Sequence, residues 1–465
     1  MAALFRSAAL LILILCGIGA AQAETLFGET SFTLKNGLQV VVVPNHRAPL
    51  VTQWLWYKVG AADEDRGKSG AAHFLEHLMF KATKTLAPKE FSAIIAKQGG
   101  QENAFTSWDY TAFHQNIAAS QLELVMKLES DRMHNLVFDA TELDHERAVV
   151  LEEWGMRIGN QPSALLDEQI EAALYLNHPY RIPVLGWTDE IKGLDVAAEK
   201  HLYDTWYAPN NAVLVIAGDV SVDQVKTLAE KYYGPIPSHP VPARLRVQEP
   251  DRSADTTVTL RHPRVRTPSW SRRYLAPSYH AGAKENAYAL EVLAEVLGGG
   301  ANSRLHHALV LDQQIAVAAG AFYAPSRLDL SSFALYATPR PTSNVEDVGK
   351  AVEGVVAQLL RDGVTADEVA RAETRIVTTA QYAEDSLEEP AEIIGRALST
   401  GQTLADLDAW PARIKAVTVD QVMNAAHAVL DAKPSVTGLL LPADAAAAAR
   451  FPAQPEGPPP SGEIR

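Results

Sequence analysis

The 465-residue chain has a single cysteine, Cys16, set in an apolar run near the N-terminus. The rest of it can form no disulfide scaffold, no thiolate zinc site and no cysteine nucleophile. Positive charge is also scarce. With 41 Lys and Arg against 56 Asp and Glu, the formal net charge is −15, the wrong sign for gripping a nucleic-acid backbone over a broad face. After residue 23 no apolar run approaches the roughly 20 residues that span a bilayer, so no stable membrane insertion is expected. Yet 47% of residues are hydrophobic and only 21% charged, too apolar for a mainly disordered chain and enough for two or more cored domains.

What is present begins with an address. Residues 1–23, MAALFRSAALLILILCGIGAAQA, place one positive charge at Arg6 before an apolar run and end on Ala21-Gln22-Ala23. That is the layout of a secretory signal peptide cleaved before Glu24, so export is expected, to the periplasm or else to the medium. An N-terminal anchor is the alternative reading, but the run is short for a span. Lipoprotein processing at Cys16 is disfavoured by Leu15 before it.

Residues 29–34 and 38–43 flank Asn36-Gly37 as strand, tight turn and strand, and 51–59 reads as another strand. Helical spacing follows at 71–80, 122–136 and 139–155, then a strand at 212–216 and a helix at 222–232. The second half repeats the plan. It has strands at 255–260 and 270–275, helices at 286–297 and around 304–311, strands at 317–323 and 330–338, and a helix at 345–360. A duplicated α/β unit is expected. The divisions are a signal segment 1–23, a catalytic unit 24–237, a Pro- and charge-rich linker 238–253, a second unit 254–442 and a loose tail 443–465.

The string AAHFLEHLMF at 71–80 carries the chemistry. His73 and His77, at i and i+4, project from adjacent turns of one helical face and can meet one metal, with Glu76 beside them. The competing reading is a buried helix whose histidines make ordinary hydrogen bonds. Catalytic zinc takes three protein ligands and keeps a position for water. The first acidic helix downstream, HERAVVLEEWGMR at 145–157, sets Glu146 and Glu153 two turns apart on one face, with Val149 and Val150 near enough to bury it. Glu153 is the expected third ligand, Glu152 its rival, and Glu146 a carboxylate that orients a histidine ring or the attacking water. A solvated acidic patch is the alternative for this pair. Two imidazoles and a carboxylate suit zinc better than calcium or magnesium. Glu76, not needed as a ligand, can take the water's proton and pass it to a leaving amine, the chemistry of a zinc-dependent peptidase.

Downstream, Asn103, Ala104, Phe105 and Thr106 have strand character between glycines and a polar turn. Either they form a sheet edge beside the metal, where an extended peptide can pair and Phe105 or Phe113 shapes a side-chain pocket, or they are an ordinary buried strand. Trp154, Tyr180 and Trp187 belong to the core or to a substrate chamber.

Taken together, GAAHFLEHLMF, GGQENAFTSWDYTAFH, ERAVVLEE, NHPYRIPVLGW, WYAPNNAVLVIAGDV and LGGGANSRLHHAL resemble the pitrilysin or insulysin family of zinc peptidases with an inverted HxxEH motif. The similarity extends to its short two-domain branch, which includes the mitochondrial processing peptidase, and covers nearly all of the mature chain. It implies His73, His77 and Glu153 as metal residues, Glu76 as general base and Glu146 as supporting carboxylate. It also implies two related domains, each a largely antiparallel sheet packed against helices, pairing into a clam-like chamber that encloses peptides against the 103–106 edge. One chain supplies half of such a chamber, so a homodimer or a heterodimer with a related subunit is expected. In the second unit Tyr288, Glu291 and Val292 fall where ligands and base would be, which implies a structural, substrate-holding half. Some family members have lost the metal residues and serve as peptide-binding subunits, but all five positions are kept here.

Overall fold

The computed structural model describes residues 25–245, 247–431 and 434–444. The expected signal segment 1–23 and the tail from 445 onward lie outside the described residues. Strands β1 (Thr30–Thr33), β2 (Gln39–Pro44), β3 (Leu50–Tyr57), β4 (Gln101–Thr106), β5 (Thr111–Ala118) and β6 (Ala212–Gly218) form one sheet in the order β1-β2-β6-β3-β5-β4. Strands β7 (Thr256–His262), β8 (Ser269–Ala276), β9 (Ala316–Tyr323), β10 (Ser331–Pro339) and β11 (Val436–Pro442) form a second, in the order β7-β11-β8-β10-β9. Pairing is antiparallel except for β2 with β6 and β7 with β11. Each parallel pair joins a strand from the start of its unit to one from the end, with helical crossovers between them. The expected pair of mixed α/β domains, each a largely antiparallel sheet against helices, is what the chain forms. Among the described residues no helix is long and apolar enough to cross a membrane.

Alternation along the strands sends apolar side chains to both faces. In the first sheet Val40, Val42, Leu55, Tyr57, Leu214 and Ile216 face a core shared with the helices Ala71–Leu78, Leu122–Asn135 and Val222–Tyr232. The opposite face, with Val41, Trp54, Trp56 and Val215, is covered by Ala391, Ile394 and Leu398 of the helix Glu389–Ser399, which comes from the second half. The exchange is mutual. The helix Pro162–Leu174 of the first half lays Leu166, Ile170 and Leu174 against Val436 and Leu440 of β11.

A glycine lies at each crossing. A Cβ on Gly395 would sit 2.0 Å from Nε1 of Trp56, and one on Gly438 would sit 2.3 Å from Cδ1 of Ile170. Only the bare backbone allows each borrowed helix to approach so closely.

Candidate active site

The helix Ala71–Leu78 starts at Gly70, and the carboxylate of Glu64 accepts from the amides of Gly70 at 3.0 Å and Ala72 at 2.8 Å. It thereby satisfies two amides of the first turn, while burial pushes the carboxyl itself well above the usual range. Phe74, Leu75 and Leu78 point into the core. The helix Ala140–Trp154 is capped by Asp139, which accepts from Thr141 and Glu142 at 2.9 and 3.0 Å. It buries Leu143, Glu146 and Val150. Val149, expected to help bury this face, is 47% exposed and lines the cleft instead.

These two helices bring His73, His77 and Glu153 together, with one donor atom from each lying within 4.8 Å of the others. Glu153 Oε2 is 3.0 Å from His77 Nε2 and 3.5 Å from His73 Nε2, while its Oε1 meets Arg157 Nε at 2.9 Å. Glu146 Oε1 is 2.8 Å from His77 Nδ1, and its Oε2 pairs with Lys81. Glu152 lines the same cleft but is exposed and stands outside the cluster.

His73 does not behave as a structural histidine. His73 is 4% exposed, yet its Nδ1 has no hydrogen-bond partner, an arrangement that buried polar atoms seldom tolerate. Two imidazole nitrogens and one carboxylate are the donor set of a catalytic zinc site with a position left for water, so the residues fit that ion. Zinc is the cofactor this cluster and the comparisons below support.

The surroundings split the two rings. Burial, with His77 adding to it, pushes His73 down to about 4 and keeps it neutral. His77 is buried too, which pulls it down, but Glu146 and Glu153 outweigh that and hold it up at about 9. Glu153 is lowered chiefly by its bond to His77. Glu146 is lowered despite burial because His77 and Lys81 both donate to it. Glu76 is pushed up to about 7 by burial, against the 2.6 Å hydrogen bond that Thr106 Oγ1 donates to its Oε2.

The cleft beside the cluster holds about 510 Å³ and is lined by Glu76, His77, Phe80, Asn103, Ala104 and Met156 among others. Strand β4 is an edge of the first sheet, so residues 103–106 lie on a sheet edge and not in an interior strand. Phe105 turns the other way, edge-on to Trp54 at 6.0 Å and Trp56 at 5.5 Å, and Phe113 lies in the core. Phe80 is therefore the aromatic at the cleft. Sequence reasoning passed over Lys81 and Arg157. Arg157 stands four residues beyond Glu153 on a continuous helical stretch, a spacing that could have drawn attention to it, whereas Lys81 lies past the end of the helix Ala71–Leu78.

In the second half, Glu291 sits on the helix Ala287–Gly298, which itself carries no histidine. Its carboxyl is engaged by the Tyr279 hydroxyl, which also accepts from Trp410 Nε1 at 2.9 Å, and burial pushes it up to about 7.

Comparison with known proteins bears on both halves of the chain. Residues 39–187 match the model described as insulinase (peptidase family M16), and residues 195–376 match the peptidase M16 inactive domain. The chain is 31% identical over 344 residues to the zinc protease PqqE of Helicobacter pylori, covering 73% of this chain and 76% of that one. It is 29% identical over 429 residues to an uncharacterized zinc protease of Mycobacterium leprae, covering 88% and 91%. The crystal structure of a protease from Helicobacter pylori superposes with a TM-score of 0.83 at 28% identity, over 89% of this chain and 99% of that one.

Proposed function

The chain belongs to the insulinase (M16) peptidase family and is a zinc metallopeptidase, and from that premise we propose that it cuts extended peptides internally, with His73, His77 and Glu153 holding the ion and Glu76 acting as general base. One observation carries this reading: three zinc-type donors converge within 4.8 Å beside a buried carboxyl pushed up to about 7.

Zinc at this cluster supplies Lewis acidity that polarises a scissile carbonyl and eases deprotonation of a water. The side chains supply the rest. Thr106 occupies Oε2 of Glu76, which leaves Oε1 to take the proton from the attacking water and then deliver it to the leaving amine. An acceptor near neutrality is well matched to both transfers. Glu146 fixes the His77 ring through Nδ1, and Lys81 and Arg157 offset the negative charge gathered around it. An extended peptide pairs with the open edge of β4 at Asn103, Ala104, Phe105 and Thr106, where backbone groups give affinity independent of side-chain identity.

Within the family, the two-unit build (24–237 and 254–442, joined by 238–253) fits the short branch akin to the mitochondrial processing peptidase. The working particle is a pair of chains, either two copies or one with a related subunit, closing around the peptide. The 1–23 segment directs export, to the periplasm in a Gram-negative cell.

The test is zinc content and peptide hydrolysis measured on the same preparations. Glu76→Gln should keep its zinc and lose on the order of 10²–10⁴-fold in kcat, while Glu153→Gln loses the ion and Glu152→Gln keeps it. Near-normal turnover in Glu76→Gln would overturn the general-base assignment, and zinc loss in Glu152→Gln alone would overturn the ligand assignment.

A further inference from the structure

The β4–β5 hairpin turns at Ser107–Tyr110, closed by the Ser107 amide on the Tyr110 carbonyl at 2.8 Å. Asp109, at its tip, is a charged residue only 3% exposed, and the groups that surround it come from three separate parts of the chain. From the first half, the Tyr180 hydroxyl lies 2.8 Å from Oδ1 and 2.7 Å from Oδ2. From the β9–β10 loop of the second half, the Leu328 amide donates to Oδ2 at 3.1 Å. From the linker, Arg244 donates to the Asp109 carbonyl at 2.6 Å while also pairing with Asp63.

The same loop adds Arg327, whose guanidinium lies over the rings of Trp108 at 4.6 Å and Tyr180 at 5.0 Å. The Asp329 amide donates to the Tyr180 hydroxyl at 3.2 Å. A turn on a hairpin edge is ordinarily among the more mobile parts of a fold. This one is held by the Leu328 amide from the second half, by Tyr180 from the first and by Arg244 from the linker.

Three residues before Asp109 is Thr106, the last residue of β4, whose hydroxyl holds Glu76 Oε2 at 2.6 Å. We propose that Asp109 is a positioning residue for the peptidase reaction: it ties the β4–β5 hairpin to the second half and the linker, and so sets the register of edge strand β4 and the placement of Thr106 against Glu76. The inference rests on the general-base reading of Glu76. It makes the second half more than a wall of the chamber, because the 327–329 loop contributes to the geometry of a site built wholly from first-half residues.

The experiment is a cycle of Asp109→Asn, Thr106→Val and the double variant, with zinc content, kcat and KM measured on the fluorogenic library peptide that the unaltered enzyme cuts fastest. Asp109→Asn keeps the buried shape but gives up an accepting oxygen. It should retain its zinc and lose about tenfold or more in kcat, as displacement of reacting groups does. In the Thr106→Val background the same change should cost less than about twofold, because the two act in series.

A folded, zinc-loaded Asp109→Asn with unchanged kcat, or a loss that multiplies fully with Thr106→Val, overturns the proposal. Should Asp109→Asn fail to fold, Tyr180→Phe, which removes one donor and leaves the carboxylate on the Leu328 amide, carries the same cycle. It is expected to lower kcat less but with the same non-additivity, and an unchanged kcat there is equally fatal. Glu76→Gln run alongside separates the two readings. Near-normal turnover in it sinks the general-base role, whereas normal kcat in Asp109→Asn beside an inactive Glu76→Gln sinks only the positioning role.

Discussion

At His77 two carboxylates converge on one imidazole, Glu146 at Nδ1 and Glu153 at Nε2, and hold its affinity for a second proton up at about 9 against its burial. Zinc needs the neutral ring, so binding must expel that proton. His73, pushed down to about 4, has none to lose near neutrality, and Glu153 and Glu146 are already ionised. Zinc affinity should therefore rise about tenfold per pH unit below pH 9 with one proton released, measurable by calorimetry in buffers of different ionisation heat. Affinity that stays flat between pH 6 and 8 would contradict the assignment.

A second carboxyl makes a stability prediction. Glu199 is fully buried, neither of its oxygens has a hydrogen-bond partner, and burial, with Glu64 nearby, raises it well above the usual range. For an acid with a raised folded-state pKa, the stability present below its unfolded pKa is lost as pH climbs. Glu199→Met should thus raise the melting temperature by roughly 2–4 °C at pH 8. The gain should fade by pH 4, and an equal gain at both values would show that ionisation is not the cause.

Among the elements, the two exchanged helices matter most. Each sheet buries one face against its own helices and the other against a helix from the opposite half, so neither half is covered by itself. Unfolding should accordingly proceed in a single transition. At the tighter crossing, Gly395→Ala must push Trp56 aside, costing about 1–3 kcal/mol by the usual penalty for overpacking. Trp56 packs edge-on against Phe105 of β4, so kcat/KM should fall together with the urea midpoint. A Gly395→Ala protein as stable as the parent would mean that the helix Glu389–Ser399 slides easily, against the close packing seen here.

At the scale of the molecule, the cleft is open and its surroundings are apolar in places that a lone chain leaves wet. Met156 beside the metal cluster is 58% exposed, and Phe322 on the edge strand β9 is 62% exposed. The edge strands of the two sheets, β1 and β4 in the first and β7 and β9 in the second, are a liability unless covered or used. A pair of chains enclosing them would order the peptide and limit water around the reacting groups. Solution mass measured during turnover should show two chains per particle, cutting short peptides and sparing folded proteins. An active single chain that degrades folded proteins would rule the chamber out.

Much of this was legible in the residues. His73, Glu76 and His77 fall on one face, and Glu146 and Glu153 on another, because helical geometry repeats locally and needs no partner to be read. The Asn36-Gly37 turn and the β-branched runs around it declare β1 to β3 in the same way, and the duplicated plan declares two sheets. What tertiary structure alone decided is what joins distant segments.

The stretch VTGLLLP becomes β11, an interior strand of the second sheet, only because β7 and β8 flank it. The helices Pro162–Leu174 and Glu389–Ser399 have ordinary amphipathic sequences that do not say which sheet they will cover. Whether 103–106 is an edge or an interior strand, whether Phe105 or Phe80 faces the cleft, and that Thr106 holds Glu76 while Asp109 holds the turn, all depend on contacts between residues far apart in the chain. Local periodicity states which way a side chain points relative to its own element. Only packing states what it meets there.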